Sequence, residues 1–272
     1  MEIGRQLTML SQETKKIQPS YTLILKIGTR NFSFLLVKSS DKKIIDFYEH
    51  NYEYQLRESE ISKELNIKLL NFLKNYNNIS NVKLIINNKL STLVPETLFD
   101  EKLSLEYLKF DVKLLKNDVP SYDKIDEIEA VNVYLPFINV NNYLIDNFGT
   151  FDYFHYSTLF IKKSIKYELG NNHYTCLNFR ENCFDMAVLK NGKLLFHNSF
   201  DYKTKEDVLY FILNSFQQNK FKLKKNIFVI SGNLNDDISD FLKKFHNNIN
   251  FSDEKIDWKT ENQYIDHIML CE

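Results

Sequence analysis

The sequence predicts an α/β protein in which one arrangement of strands and helices occurs twice. Short segments of alternating or β-branched residues change repeatedly to segments with apolar residues three or four positions apart. The order strand, strand, strand, helix, strand, helix, strand, helix can be followed once before and once after residue 170. We therefore expect a leader at 1–20 and two halves, at 21–170 and 171–272, each with a mixed five-stranded sheet flanked by helices.

The first half begins with the pattern of an antiparallel meander. Strand-like residues fill "YTLILKI" and "NFSFLLVK", a tight Gly-Thr-Arg turn joins them, and "KKIIDFYEHNYEY" follows as a third strand. The next segment predicts an amphipathic helix, whose apolar face consists of Ile61, Leu65, Leu69, Phe72 and Tyr76. Because a helical crossover joins parallel strands, we expect "NVKLIIN" after this helix to pair in parallel with the first strand.

Residues 88 to about 130 interrupt this order and predict an inserted segment of short strand, short helix and charged loop. "VNVYLPF" then predicts a strand, and "NVNNYLIDNFG" predicts a helix that ends at a left-handed Gly149. The aromatic segment "TFDYFHY" fits a buried strand better than a partner surface or a stacking platform. "STLFIKKSIKYELG" predicts the last helix of this half, which is expected to end at Gly170.

The second half repeats the pattern. "HYTCLNF", "NCFDMAVLK" and "KLLFHNSF" predict three strands, and Asn191-Gly192 predicts a hairpin turn between the last two. A helix follows, with Thr204 as the expected N-cap and Asp207 three residues later, and then comes the strand "KNIFVISG". The last helix is expected to have Asn235 as its N-cap and to precede a short strand in "INFS".

Composition argues against several classes of protein. With 272 residues, 43% hydrophobic, 26% charged and a net charge of −1, the chain has no bulk charge that would attract nucleic acid or an anionic membrane. The acidic "DKIDEIEA" and the basic "KFKLKK" fit solvated loops better than docking sites. No apolar run approaches the roughly 20 residues of a spanning helix, so no membrane insertion is expected.

Cysteine and histidine usage points to a reducing compartment and to no metal. The three cysteines, Cys176, Cys183 and Cys271, are odd in number and lack metal-ligand spacing. Cys176 and Cys183 fit small buried hydrophobes better than a redox pair. The six histidines show no zinc-site spacing. Since the leader has no apolar signal-peptide core either, we expect a cytoplasmic protein.

The doubled pattern resembles the actin-like ATPase (ribonuclease H-like) fold of sugar kinases, Hsp70-type ATPases, actin and the pilus-assembly protein PilM. "TLVPETLFDEKLSLEYLKF", "AVNVYLPF" and the terminal "CE" are similar to an uncharacterised family of Bacteroidetes proteins with this fold. The resemblance covers most of the chain from about Tyr21. It implies a cleft between the halves, where two phosphate hairpins and an adenosine turn would hold a nucleotide. No reaction is established for the family.

Lys26, Gly28 and Thr29 lie where the resemblance places the first phosphate hairpin. The superfamily hairpin typically reads Asp-x-Gly-[Thr/Ser], whereas this chain has "KIGT", so that lysine replaces the carboxylate on the magnesium side. Unit charges about 4 Å apart interact by about 4 kcal/mol at an effective dielectric near 20. The replacement therefore turns an electrostatic attraction for the metal ion, worth several kcal/mol, into a repulsion. A lysine can instead contact a phosphate directly as a point charge.

The second hairpin and the adenosine turn depart from the superfamily pattern as well. In "LNFRENCF" the resemblance aligns Asn178 with an aspartate and Arg180 with a glycine that lets backbone approach phosphate. In "IFVISGNL", Ser231 and Gly232 match, and Asn233 replaces a second glycine. The chain thus lacks both carboxylates and two glycines of the nucleotide motifs, on which phosphoryl transfer would depend.

These departures lead to two hypotheses. The first is a non-catalytic actin-like-fold protein without a cofactor or catalytic residue, an interaction or scaffold module for an unidentified protein partner. Its vestigial nucleotide cleft would consist of Lys26, Gly28, Thr29, Asn178, Ser231 and Gly232. The alternative is a divergent ATP-binding or kinase-like enzyme, in which several of these residues have altered roles: Lys26, Thr29, Asn178 and Ser231.

Overall fold

The structure, a computed structural model, describes residues 19–110, 112–167, 173–180, 182–245 and 249–251. The elements up to residue 166 are, in chain order, β1 (Tyr21–Gly28), β2 (Asn31–Lys38), β3 (Ile44–Asn51), α1 (Glu58–Leu73), β4 (Ile79–Asn87), β5 (Ser91–Pro95), α2 (Ser104–Leu108), β6 (Ser121–Ile125), β7 (Ala130–Tyr134), α3 (Ile138–Phe148), β8 (Asp152–His155) and α4 (Tyr156–Lys166). The first large sheet has the strand order β3-β2-β1-β4-β8.

The region of the second large sheet contains β9 (His173–Phe179), β10 (Cys183–Lys190), β11 (Lys193–Asp201), α5 (Lys205–Gln218), β12 (Asn226–Gly232), α6 (Asp236–Phe245) and β13 (Ile249–Phe251). This sheet has the equivalent strand order, β11-β10-β9-β12-β13. In both sheets an antiparallel meander of three strands continues into a parallel strand, as β1 with β4 and β9 with β12. The predicted α/β class with two mixed five-stranded sheets is confirmed.

The two edge strands of the meanders share a further detail of register. Between β2 and β3, Ile45 is one residue more than the partner strand can pair, and Leu195 is the extra residue between β10 and β11. Such bulges bend an edge strand and increase its twist. Their equivalent positions extend the repeat from the order of elements to single residues, which the sequence alone did not reveal.

Alternating side chains of each sheet build three layers of core. The outer face of the first sheet packs on α1 and α3, and the outer face of the second packs on α5 and α6. The two inner faces meet in a third cluster that encloses α4. Ile24, Leu35, Cys176 and Ala187 belong to this inner cluster and are buried. Cys176 is thus a small buried hydrophobe, as expected.

A small third sheet consists of two strands from the segment predicted as an insertion and of the strand that follows it. Strands β5 and β6 both pair antiparallel with β7, which lies at its centre. The predicted strand "VNVYLPF" is therefore present, but its partners come from the segment before it. Part of the acidic stretch, which was predicted as a loop, instead forms regular secondary structure: the end of β6 and a 3-10 helix at Asp126–Ile128.

The predicted caps and turns are present where they can be compared. The Thr204 hydroxyl accepts a hydrogen bond from Asp207 N, and Asn235 Oδ1 accepts one from Asp237 N. Asn191 and Gly192 have φ angles of 52° and 73°, as the predicted hairpin turn requires. Gly149 ends α3 with φ 78° and ψ −128°, which lies outside the left-handed helical region expected for it.

Some sequence predictions lie outside the described residues, among them most of the leader, Gly170, Cys271 and the terminal "CE". The division of the chain at residue 170 stays a prediction for this reason. In the described part of the chain, no helix is long and apolar enough to span a bilayer.

Candidate functional site

Two rows of polar side chains continue the apolar inner faces of the sheets. In the first sheet, the register aligns Lys26 with Ser33 and Ser33 with Glu49. In the second sheet the corresponding row contains Ser231, Asn178, Asp185 and Ser199. Because side chains alternate along a strand, each of these polar residues except Ser199 shares a face with a residue of the inner cluster two positions away. The sequence pattern itself thus brings both rows to the cleft between the sheets.

A cavity of about 630 Å³ opens beside these rows. Lys26, Asn178 and Gly232, three of the six predicted cleft residues, line it. The first turns of α5 and α6 contribute further polar groups, and the charged residues around the cavity carry both signs: Lys26, Glu49, Arg180, Lys203, Lys205, Glu206 and Asp237. Gly28, Thr29 and Ser231 are not among the lining residues.

Arg180 crosses the cleft from the second hairpin to the first sheet. Its Nη1 donates to Asn87 Oδ1 at the end of β4, 2.5 Å away, and its Nη2 donates to Asp185 Oδ1, 2.8 Å away. The side chain of Asp185 is fully buried and that of Arg180 is 16% exposed. The guanidinium carbon lies 4.6 Å from the centre of the Tyr156 ring. One arginine side chain therefore connects both sheets and α4.

Tyr156 is the residue on which the predicted phosphate sites converge. Lys26 Nζ lies 5.1 Å from the centre of its ring, and its hydroxyl accepts a hydrogen bond from Asn178 Nδ2. Asn178 Oδ1 in turn accepts a hydrogen bond from the Ser231 hydroxyl, 2.8 Å away. Tyr156 is only 1% exposed. The structure thus brings Lys26, Asn178 and Ser231 together around a residue at the start of α4.

The hairpin glycines are held by packing and local hydrogen bonds. A Cβ atom at Gly28 would lie 2.7 Å from Asn31 Oδ1 and 3.1 Å from the Asn87 carbonyl oxygen. The carbonyl oxygen of Thr29 accepts a hydrogen bond from Leu56 N. A Cβ atom at Gly232 would lie 2.1 Å from the Phe179 carbonyl oxygen. These glycines therefore allow close contacts within the fold itself.

Sequence reasoning missed Tyr156, Asn87 and Asp185. Asp185 carried a signal, since it is the only charged residue inside the otherwise apolar stretch "CFDMAVL". An acidic residue in a buried strand needs donors, and here Arg180 and the Ser199 hydroxyl provide them. Tyr156 ends the aromatic segment "FDYFHY", but nothing in that pattern distinguishes it from its neighbours.

Two histidines near this site are held neutral. Burial, together with the nearby His197 and Arg180, lowers the pKa of the His155 ring to about 3. Burial also lowers the pKa of His197 to about 4, although Asp185 partly counteracts the shift. His155 Nδ1 accepts a hydrogen bond from Ser157 N, so Nε2 carries the proton and faces Asn88 Oδ1 at 3.3 Å.

The depressed pKa of His155 predicts a specific loss of stability in acid. The unfolded chain takes up a proton at this ring below pH 6.5, its ordinary pKa, while the folded chain resists until about pH 3. We expect its contribution to the free energy of unfolding to fall by about 1.4 kcal/mol for each pH unit in that window. Urea unfolding measured between pH 7 and pH 4 should show that the free energy of unfolding of His155→Gln changes less steeply with pH than that of the wild type. Equal slopes would contradict a neutral His155.

A second buried polar cluster joins the small sheet to α4. Asp123 accepts hydrogen bonds from the Tyr134 hydroxyl at 2.9 Å, the Thr158 hydroxyl at 2.7 Å and His155 N at 2.8 Å. Asn132 Nδ2 donates to Thr158 Oγ1 at 2.9 Å. Burial raises the pKa of Asp123, and these donors counteract the shift. The cluster has a structural role, because its donors and acceptors satisfy one another.

Replacing Thr158 with valine should destabilise the protein by about 1–3 kcal/mol, because the isosteric side chain removes a donor to Asp123 and an acceptor for Asn132. Chemical denaturation measures the loss. Thr97→Val is the matched control, since Thr97 is exposed and should change stability by less than about 0.5 kcal/mol. Similar values for both variants would show that the buried hydrogen bonds contribute little.

The site has no constellation for metal binding or thiol chemistry among its described residues. There, no group of three or more His, Cys, Asp or Glu could hold a metal ion. Cys176 is buried, which raises the pKa of its thiol to about 12, and Cys183 is half-buried. Two cations, Lys26 and Arg180, instead lie at the places that the resemblance assigns to phosphate hairpins.

Two solved structures are similar to the chain over almost its whole length. A Bacteroides thetaiotaomicron protein with an actin-like ATPase fold and unknown function has 21% identity and a TM-score of 0.75, covering 93% of this chain and 97% of its own. The PilM–PilN type IV pilus biogenesis complex contains a chain with 10% identity and a TM-score of 0.57, covering 92% and 97%. These similarities confirm the actin-like fold that the resemblance implied.

Family membership follows from the sequence. No curated protein is significantly similar to the chain. Residues 11–249 match the family described as "Protein of unknown function (DUF3822)". Since the match extends over most of the 272 residues and the fold agrees, the chain belongs to the DUF3822 family, with an actin-like ATPase fold.

Proposed function

We propose that this chain is a non-catalytic actin-like-fold protein that acts as a protein-interaction or scaffold module. One observation carries the proposal: Arg180 extends through the cleft, bonded to Asn87 and Asp185 and stacked on Tyr156. An arginine in this position fills the space that a phosphate needs beside the second hairpin. Its charge is already used by a buried carboxylate, so it stabilises the fold instead of a ligand.

The energetics of the cleft support this role. A phosphate group that displaced Arg180 would leave Asp185 as an uncompensated buried anion next to the incoming negative charge. The first hairpin has Lys26 where a metal-side carboxylate belongs, so the cleft offers no anionic ligand for magnesium at that place. The vestigial cleft of Lys26, Gly28, Thr29, Asn178, Ser231 and Gly232 would thus keep the fold and not the chemistry.

The interaction role rests on fold-level analogy. One structural neighbour, PilM, is part of a complex with PilN, so this fold can present a surface to a protein partner. In the proposed role the two large sheets serve as a rigid frame, and the small sheet adds surface that the repeat does not need. The free thiols of Cys176 and Cys183 are compatible with a cytoplasmic protein.

Two measurements test the proposal. Phosphate release from ATP by the purified full chain should equal that of protein-free buffer, and release that disappears in Lys26→Ala would contradict a non-catalytic cleft. Affinity capture in native cells should enrich a partner which, when tagged itself, recovers this chain. Absence of any partner enriched in both directions, relative to an unrelated tagged protein, would contradict the interaction role.

A second candidate function is nucleotide binding with altered residue roles. It is favoured by the 630 Å³ cavity, whose lining includes Lys26, Asn178, Arg180 and Gly232. In this alternative Lys26 would contact a phosphate directly, and no carboxylate would bind a metal ion at this place. The ion pair between Lys205 and Asp237 at the other side of the cavity, with an Nζ–Oδ1 distance of 2.9 Å, would flank the base or sugar.

A further inference from the structure

A second groove, of about 560 Å³, lies between the small sheet of β5, β6 and β7 and the edge of the second large sheet. One wall consists of five consecutive residues of β11, 193–197, and the other includes three consecutive residues of β5, 93–95. Side chains alternate along a strand, so consecutive residues line a groove only where the edge of the strand borders it. Two strand edges therefore border the groove.

These edges carry backbone groups that no strand of the described chain pairs. In the described part, β11 pairs only with β10, and β5 pairs only with β7. Leu195 is the bulged residue of β11 and is 44% exposed. The bulge and Pro95 interrupt both edges, which disfavours extensive pairing with a second copy of the sheet. A short extended segment can still lie along such an edge.

The rim of the groove is acidic. Asp126 and Glu127 lie in the 3-10 helix between β6 and β7, Glu129 directly follows it, and all three are exposed. Their side chains form no ion pair with the rest of the described chain. Lys193 is the only lysine or arginine among the lining residues. Three carboxylates against one ammonium group favour a basic occupant.

The floor of the groove is apolar and includes one unsatisfied polar atom. Leu93, Ala130, Leu194 and Phe196 contribute apolar surface. His197 also lines the groove, and its Nε2 atom is buried with no hydrogen-bond partner in the described chain. Burial lowers the pKa of this ring, so the neutral imidazole adds no positive charge to the groove at physiological pH.

We propose that this groove binds a short extended segment of a partner protein in which lysine or arginine alternates with apolar residues. The inference rests on the proposed interaction role and names the chemistry of the partner. Apolar side chains of the segment contact the floor, its cationic side chains reach Asp126, Glu127 and Glu129, and its backbone runs along β11. Complementary charge sets the orientation and the salt dependence of binding.

The experiment uses fluorescence anisotropy with the full chain and two labelled peptides of equal length. One peptide alternates lysine and valine, and the other alternates glutamate and valine. We expect the basic peptide to bind at least tenfold more tightly. Equal affinity for both peptides, or no binding of the basic one, would overturn the proposal. A chain that is dimeric in solution and excludes the peptide would show that a second copy occupies the groove.

Two matched variants locate the binding surface. Asp126→Asn/Glu127→Gln/Glu129→Gln should weaken binding of the basic peptide at least tenfold. Glu53→Gln/Asp146→Asn/Asp152→Asn removes the same charge at exposed positions outside the groove and should leave the affinity unchanged. Equal weakening in both variants would overturn the groove as the site. The proposed function is tested by phosphate release and affinity capture, whereas the groove is tested by peptide affinity and these variants. Failure of one proposal can therefore be told from failure of the other.

Discussion

Arg180→Ala is expected to lower the free energy of unfolding by about 3–5 kcal/mol, the cost of removing one partner from a buried ion pair. Among the described residues, the variant leaves the fully buried Asp185 carboxylate with the Ser199 hydroxyl as its one hydrogen-bond donor, and it also removes the contacts with Asn87 and Tyr156. Urea denaturation followed by circular dichroism measures the loss. The size of the effect reports how strongly the arginine holds the two sheets together.

Two further variants separate charge from packing. Arg180→Ala/Asp185→Asn should recover part of the lost stability, because a neutral amide costs less to bury than an unpaired carboxylate. Arg30→Ala is the surface control: its side chain is exposed, its hydrogen bond to the Glu53 carbonyl oxygen is 3.5 Å long, and we expect a change below about 0.5 kcal/mol. A loss as small in Arg180→Ala as in Arg30→Ala would contradict the bridging role of Arg180.

Gly232→Ala is expected to cost more than an ordinary glycine replacement. Gly232 has a φ of +86°, where an alanine costs about 1–2 kcal/mol in backbone strain. Its added Cβ would also lie 2.1 Å from the Phe179 carbonyl oxygen and 2.8 Å from Asn178 Oδ1. Overpacking of this kind costs about 1–3 kcal/mol in addition. Because the contact atoms are largely backbone, β9 and β12 must move apart at their ends.

Gly192→Ala provides the matched control for this prediction. Gly192 has a φ of +73° and no atom within 4 Å of an added Cβ, so the variant bears the backbone strain alone. Thermal unfolding of both variants should show the greater loss for Gly232→Ala. Equal losses would mean that the close approach of Gly232 to β9 has little energetic weight.

Much of the fold could be predicted from the sequence, because local periodicity and fold agree. "HYTCLNF" coincides with β9, and the capping pattern of Thr204 and Asp207 marks the start of α5. The small sheet was not predicted, because its strands have only five residues each and β5 pairs with β7 about 40 residues away in the chain. Such tertiary stabilisation leaves no local signal.

The site was only partly predictable. Alignment to the superfamily motifs identified Lys26, Asn178 and Ser231, which the structure brings together around Tyr156. The importance of Tyr156 and Asn87 depends on how the sheets face each other, and no spacing in the sequence encodes that. Arg180 was interpreted as an obstacle to phosphate. Its hydrogen bonds to both sheets add a structural reason for an arginine at this position.

Calorimetric titration of the full chain with ATP and ADP, with and without Mg²⁺, tests most directly whether the cleft is occupied by the protein's own side chains. We predict no saturable heat of binding in the titration. We also predict no change in the Tm of thermal unfolding at millimolar nucleotide. A nucleotide at about 100 times its Kd would add about 2.7 kcal/mol of stability and raise Tm by about 5–10 °C. Saturable binding that is lost in Lys26→Ala would contradict the account.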